Sequence, residues 1–199
     1  GAYSSWDFGD NLQNFDLYFL WQVNPSITPD LMGFGFRAKS KLDSLDYRLE
    51  ATVNKATGSG STTEYQFDLE LGYAVNDDAR FAVEGFYASD AYTQWYPTAH
   101  KWLGYADYFS RRNIMGARVG LSNKFSDDFS ASIDGHFFMR ADASKSAFTF
   151  GGGAYGTTGS DKSIATEIDV VGNYKVNSAW KLTGGTSLIL PGAYMKANA

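Results

Sequence analysis

Apolar and polar side chains alternate with a period of two along most of this 199-residue chain, and no other feature limits its fold so tightly. In EYQFDLELGYAV, the residues Tyr65, Phe67, Leu69, Leu71, Tyr73 and Val75 fall on one side. Glu64, Gln66, Asp68, Glu70 and the small Gly72 and Ala74 fall on the other. Successive Cβ atoms of a strand point to opposite faces, so the pattern describes strands between two unlike environments. FSASIDGHFFMRA repeats it, with Phe129, Ala131, Ile133, Gly135, Phe137 and Met139 opposed to Ser130, Ser132, Asp134, His136 and Arg140. IATEIDVVGNYKV does so again, with Ile164, Ile168, Val170, Tyr174 and Val176 against Glu167, Asp169, Asn173 and Lys175.

The pattern predicts nine strands, at about 12–23, 31–40, 45–54, 63–75, 79–89, 113–125, 129–141, 163–176 and 179–190. Most are longer than the ~5–6 residues usual in soluble sheets. They suit tilted strands that cross a bilayer. No stretch of ~18 consecutive apolar residues offers a membrane helix, and the one helical candidate is a short turn around Trp102 to Phe109. Connection lengths also alternate. Asn76–Asp78, Ser126–Asp128 and Asn177–Ser178 are tight and rich in turn formers, whereas the links at about 90–112 and 142–162 are long. Short turns on one rim and long loops on the other are expected of an outer-membrane barrel. The fold expected is therefore all-β, a transmembrane antiparallel up-and-down β-barrel forming one domain over 1–199. Nine strands would leave the chain on the long-loop side. Barrels usually have an even number, so at least one further strand is expected after Ala199, with more hairpins open before Gly1.

The polar face carries the acids Asp16, Asp46, Glu50, Glu64, Asp68, Glu70, Glu84, Asp134, Glu167 and Asp169. Its bases are fewer: Arg37, Lys39, Arg48, Arg80, Arg118, Arg140 and Lys175. A β-sandwich or β-solenoid would show these to bulk water, whereas a membrane barrel would turn them to a wet lumen. Trp21, Tyr73, Tyr174 and Trp180 near strand ends favour the membrane, where aromatic belts mark the interfaces. The absence of cysteine excludes a disulfide scaffold and thiolate metal sites. A formal net charge of −5 argues against a nucleic-acid partner, which needs clustered cations.

Between two strands lies YPTAHKWLGYADYFSRRNI, which resembles a region of the alginate export family of outer-membrane proteins. The resemblance rests on Tyr96-Pro97-Thr98, His100-Lys101, Gly104-Tyr105-Ala106-Asp107 and Asn113-Ile114 in that order. GFYASD before it, the Glu167-Ile168-Asp169 strand and the Pro191-Gly192-Ala193-Tyr194-Met195-Lys196 segment agree with it, over about 62–196. The resemblance implies a channel in the outer membrane of a Gram-negative bacterium, surrounded by lipid and lipopolysaccharide. It would pass hydrophilic solutes or export a polysaccharide, with other envelope proteins as further partners and no cofactor. The acid excess departs from the positive lumen that a polyuronate exporter needs.

Within this reading the lumen charges are Arg37, Arg48, Glu50, Glu70, Arg80, Glu84, Arg118, Asp134, Arg140, Glu167 and Asp169. They either order a permeating solute or neutralise one another across strands. The long loop is expected to form a constriction or recognition element. His100, Lys101, Arg111 and Arg112 would meet anionic groups, Trp95, Trp102 and Tyr105 would stack on sugar rings, and Asp107 would pair with a loop cation. The same loop read as a structural cap would simply pack on the rim. A non-conducting structural or adhesion barrel, or a subunit of a larger assembly, is the alternative of another class. No catalytic site is expected: His136 and Asp134 are neighbours on one face, but no nucleophile elbow accompanies them. Nor is a metal site, because His100 and His136 lie too far apart for ligand spacing.

Overall fold

A computed structural model describes residues 1–23, 30–57, 61–95, 102–156 and 159–199. In chain order the elements are β1 (Ala2–Trp6), β2 (Asn14–Gln22), β3 (Leu31–Leu42), β4 (Leu45–Ala56), β5 (Thr63–Ala74) and β6 (Ala79–Ala88). There follow β7 (Ile114–Lys124), β8 (Phe129–Met139), β9 (Ala147–Phe148), β10 (Ala154–Tyr155), β11 (Ser163–Lys175), β12 (Lys181–Pro191) and α1 (Ala193–Ala197). Every long strand pairs antiparallel with its sequence neighbours, giving one ten-stranded sheet in the order β1-β2-β3-β4-β5-β6-β7-β8-β11-β12. The nine expected strands fall within about two residues of their predicted ends, the usual precision of such boundaries.

Several expectations need correction. A tenth strand, β1, precedes the others; its AYSSW is short and exposed throughout, as an edge strand can be. The long loop after β8 contains its own hairpin, β9–β10. Trp102 to Phe109 forms turns rather than helix, and the helix is α1 instead. The sheet is open, with β1 and β12 as its edges, so closure into a barrel is not seen.

The distribution of polarity is inverted relative to a soluble protein. Phe67 and Leu71 are 42% and 49% exposed, whereas Asp68 and Glu84, on the opposite face, are 1% and 5% exposed. Leu17, Phe34, Val53, Val119, Ile133, Phe137 and Val170 extend the exposed apolar face across the sheet. A water-soluble sandwich would bury these and show the carboxylates to bulk solvent, so that alternative is overturned. Aromatics gather on the exposed face at both rims. Tyr73, Phe81, Phe129, Tyr174 and Trp180 lie near the tight turns, and Trp21 and Tyr65, the latter stacked on Tyr87, lie near the long loops. Tyr65 and Tyr73 are about 27 Å apart along β5 at the strand rise. A tilt of ~35–45° reduces that to about 19–22 Å, most of the ~25 Å height of an apolar membrane band.

The polar face is concave. Arg48 on β4 and Thr183 on β12 line one cavity of about 570 Å³, although five strands lie between theirs in the sheet. Toward the long-loop rim this face turns apolar, in a way the expected wet interior does not anticipate. Phe86, Ala88, Ile114, Phe138 and Ala165 line it, and Tyr92, Leu103, Phe109, Tyr194 and Met195 pack on them from the loops and α1. The upper interior is thus a dry core made by loops, and the charged zone lies below it.

Candidate functional site

Strand register builds the charged zone. Across the sheet, Arg48 faces Glu70, Glu70 faces Glu84, Glu84 faces Arg118, Arg118 faces His136 and His136 faces Glu167. Two carboxylates directly opposite each other, Glu70 and Glu84, would repel. Arginines on both sides resolve this. Arg48 reaches Asp68 at 2.8 Å and Glu84 at 3.2 Å. Arg118 contacts Glu70 and lies 2.8 Å from Glu84 and 2.7 Å from Asp134. Arg80 bridges Asp46 and Glu70, the latter at 2.7 Å. Farther along, Arg37 holds Asp16 through two nitrogens, at 2.9 and 2.6 Å.

The described parts of loop 89–113, residues 89–95 and 102–113, descend onto this zone. Arg111, buried, donates to Gln66 at 2.9 Å and to Asp68 at 3.0 Å. The Trp95 indole N–H donates to Asn54 at 2.7 Å, and the Asn54 amide donates back to the Thr93 carbonyl at 2.6 Å. Trp102 carries the Arg48 guanidinium 4.1 Å from its ring centre, a cation–π contact. Burial pushes the Tyr92 phenol up to about 12, so its hydroxyl stays protonated.

Two sequence segments lock together here. The backbone N–H of Tyr105 donates to Asp169 and that of Ala106 donates to Glu167, each at 2.9 Å. Gly104 makes the approach feasible: its φ is +88°, and a Cβ there would sit 2.3 Å from the Glu167 carboxylate. Hence Gly-Tyr-Ala-Asp on the loop and Glu-Ile-Asp on β11 are the two halves of one clamp. Gly104→Ala is expected to weaken loop docking by about 2–4 kcal/mol, through left-handed strain and loss of charge-assisted hydrogen bonds. Limited proteolysis checks this: cleavage within 89–113 should accelerate while the strands stay protected, and an unchanged rate would remove the clamp.

A second clamp holds the loop after β8. Arg140 lies just past the strand, buried, and donates to the carbonyls of Lys145 at 2.7 Å, Gly159 at 2.9 Å and Asp161 at 3.0 Å. Its guanidinium stacks 3.8 Å over the Tyr194 ring, and the Tyr194 hydroxyl lies 2.5 Å from the Tyr155 carbonyl. Gly192 turns the chain into α1 where a Cβ would meet Ser163 Oγ at 2.4 Å. Asn113, with a φ of 46°, donates to the carbonyls of Asp142, Lys145 and Ser146.

Of the residues expected along the lumen, Arg37, Arg48, Glu50, Glu70, Arg80, Glu84, Arg118 and Asp134 share the concave face. Glu167 and Asp169 are on it too, covered by the loop. Arg140 is not part of an open lumen surface, because loop carbonyls enclose it. In the loop, Arg111 points inward and Arg112 stacks 4.1 Å from the Phe148 ring centre. Asp107 adopts a φ of 51°. His100 and Lys101 lie outside the described residues. His136 faces Asp169 at 3.3 Å across strands rather than Asp134 along its own, and no hydroxyl bonds to its ring among the described residues.

Sequence reasoning named Asn113 and Tyr194 only as marks of the family, without a role, and missed the dry upper core. A signal existed for the core: Phe86-Tyr87 and Phe137-Phe138 break the alternation with consecutive aromatics, marking strand ends apolar on both faces.

The family model described as "Alginate export" matches residues 88–199, from the end of β6 through both clamps to α1. This chain belongs to the alginate export family. Comparison with curated proteins gives no match. At the level of the alginate export family, the chain is a polysaccharide-export, outer-membrane channel type of protein with an all-β antiparallel sheet. Export and transport, rather than catalysis, is the family's business. The matched span includes the Gly-Tyr-Ala-Asp, Asn-Ile, Glu-Ile-Asp and Pro-Gly-x-Tyr segments, each of which holds a loop in place here.

Proposed function

We propose that this alginate export family protein is a passive outer-membrane channel of a Gram-negative cell. Its strands close around the concave face, and hydrophilic solutes or an exported polysaccharide move past loop 89–113. The inverted polarity carries the reading: an apolar belt suited to lipid and lipopolysaccharide encloses a row of paired charges. In hydrocarbon every backbone polar group must be paired, which favours closure over open edges. Trp95, Trp102 and Arg111 narrow the passage, and the Arg48–Glu84–Arg118 row sets a transverse field along it. Because Arg48 and Arg118 are met by carboxylates and acids modestly outnumber bases on the concave face, the lumen holds no positive field and suits a general porin at least as well as a conduit for a polyanion.

Recordings in planar bilayers test this. The protein should conduct, with a reversal potential near zero in a salt gradient. Strong cation preference would contradict carriage of a polyuronate. A second reading has its own support: the dry core beneath the loops suits a plugged, structural barrel. Absence of conductance above background would select that reading.

A further inference from the structure

A cleft of about 270 Å³ lies between loop 89–113 and the concave face of β2–β5. It is set apart from the larger cavity by Arg48 and Trp102, which line both. Its size sits near the lower end of small-molecule sites, ~300–1,000 Å³, and accommodates one sugar ring with its hydroxyls. Its walls pair indole and phenol faces with planar hydrogen-bonding groups: Tyr18, Tyr92, Trp95 and Trp102 alongside Glu50 and Gln94.

The walls are fixed in advance. Trp95 is bonded to Asn54 on β4. The Tyr18 hydroxyl lies 2.8 Å from Glu50 Oε1 and 2.7 Å from Thr52 Oγ1. Preset groups bind with less loss of rotamer freedom. The C–H face of a pyranose carries slight positive charge and suits the negative face of an indole. Its vicinal hydroxyls suit a carboxylate and a primary amide.

Charge then selects among sugars. The arginines at the cleft are already neutralised. Arg48 is held by Asp68 and Glu84, Arg111 by Asp68, and Arg37 by Asp16 through Nε and Nη2. A uronate carboxylate entering the cleft would meet Glu50 and cations committed elsewhere. Desolvating it there would go uncompensated. A neutral ring has no such cost.

We propose that this cleft is a saccharide-binding subsite for a neutral sugar unit, seated on Trp95 and Trp102 with its hydroxyls bonded to Glu50 and Gln94. The assignment deepens the channel reading by naming the class of solute, and rests on it for the biological route. Its test does not require conduction. Full-chain protein in detergent micelles is titrated with cellotriose and, separately, with trigalacturonate, following tryptophan fluorescence and heat by calorimetry. Cellotriose should bind saturably and about tenfold or more tighter than trigalacturonate. Trp102→Ala should weaken cellotriose by a similar factor. Glu50→Gln keeps the shape and a partner for Tyr18 and should narrow the gap between the two probes. Heat-modifiable gel migration reports whether each variant folds, and Glu50→Gln carries the test if Trp102→Ala does not. Tighter binding of the uronate, no binding of either probe, or cellotriose binding unmoved by the folded variants would each overturn the subsite. Bilayer recordings on the same preparation keep the readings apart. Conductance without saccharide binding removes the subsite and leaves the channel, whereas binding without conductance supports the subsite and removes the channel.

Discussion

Arg118→Met is expected to destabilise the protein by about 3 kcal/mol, the lower end of the range for removing one partner of a buried ion pair. Arg118 contacts Glu70, Glu84 and Asp134 together. Methionine fills the space of its stem but leaves those carboxylates short of one cation. The full penalty is avoided because Glu84 keeps Arg48 and Glu70 keeps Arg80. Asp134 has no other ion-pair partner among the described residues, and it should hydrate toward the cavity it lines. The second consequence is electrical. With one positive charge gone from the row, the reversal potential in a salt gradient should shift toward cation preference. Chemical-denaturation midpoints and bilayer recordings check the two parts separately. A variant with unaltered midpoint and unaltered selectivity would mean that the row neither stabilises the sheet nor faces the conduction path. Arg80→Met should cost less, because Arg80 is about one-third exposed and water screens its pairs.

Tyr194→Ala is expected to release the loop 140–162, with a loss of about 3–5 kcal/mol from that region. The ring is fully buried, stacks under Arg140 and belongs to the dry core with Phe138, Ile164 and Ala147. Its hydroxyl sits among the Tyr155 and Gly156 carbonyls and the Ala147 N–H. Removing the side chain takes apolar contact, a cation–π partner and a hydrogen bond at once. Tyr194→Phe should cost only about 1 kcal/mol, the net worth of the hydrogen bond. Proteolysis within 140–162, compared with cleavage at the tight turns, reads both variants. Equal cleavage in Tyr194→Ala and the parent protein would show that Arg140 and Asn113 alone secure the loop.

The clamps give the family match a physical content. Gly104 is required by the approach to Glu167, and Gly192 by the approach to Ser163. Asn113 tolerates a positive φ and has an amide that serves three carbonyls. Each position answers a local backbone demand at a loop docking point. None touches the paired charges of the Arg48–Glu84–Arg118 row directly. The segments that identify the family therefore describe how loops are held; of the proposed saccharide subsite, Gln94, Trp95 and Trp102 lie within the matched region and Glu50 lies on a strand before it.

What the sequence by itself determined was local and periodic. A period of two can be read residue by residue, so the strands, their two faces and the turn-versus-loop asymmetry were legible without coordinates. Even the inverted polarity was implied once long strands, rim aromatics and a charged face occurred together. What only the tertiary structure decided was non-local. Register sets Glu70 against Glu84 and places arginines on both sides. Loop docking turns Arg140 from a lumen charge into a carbonyl anchor and joins Gly104 to a carboxylate sixty-three positions away at Glu167. These pairings depend on how the sheet curls and where its loops come to rest. Both are sums over contacts between residues distant in the chain, and no window of neighbouring residues contains them.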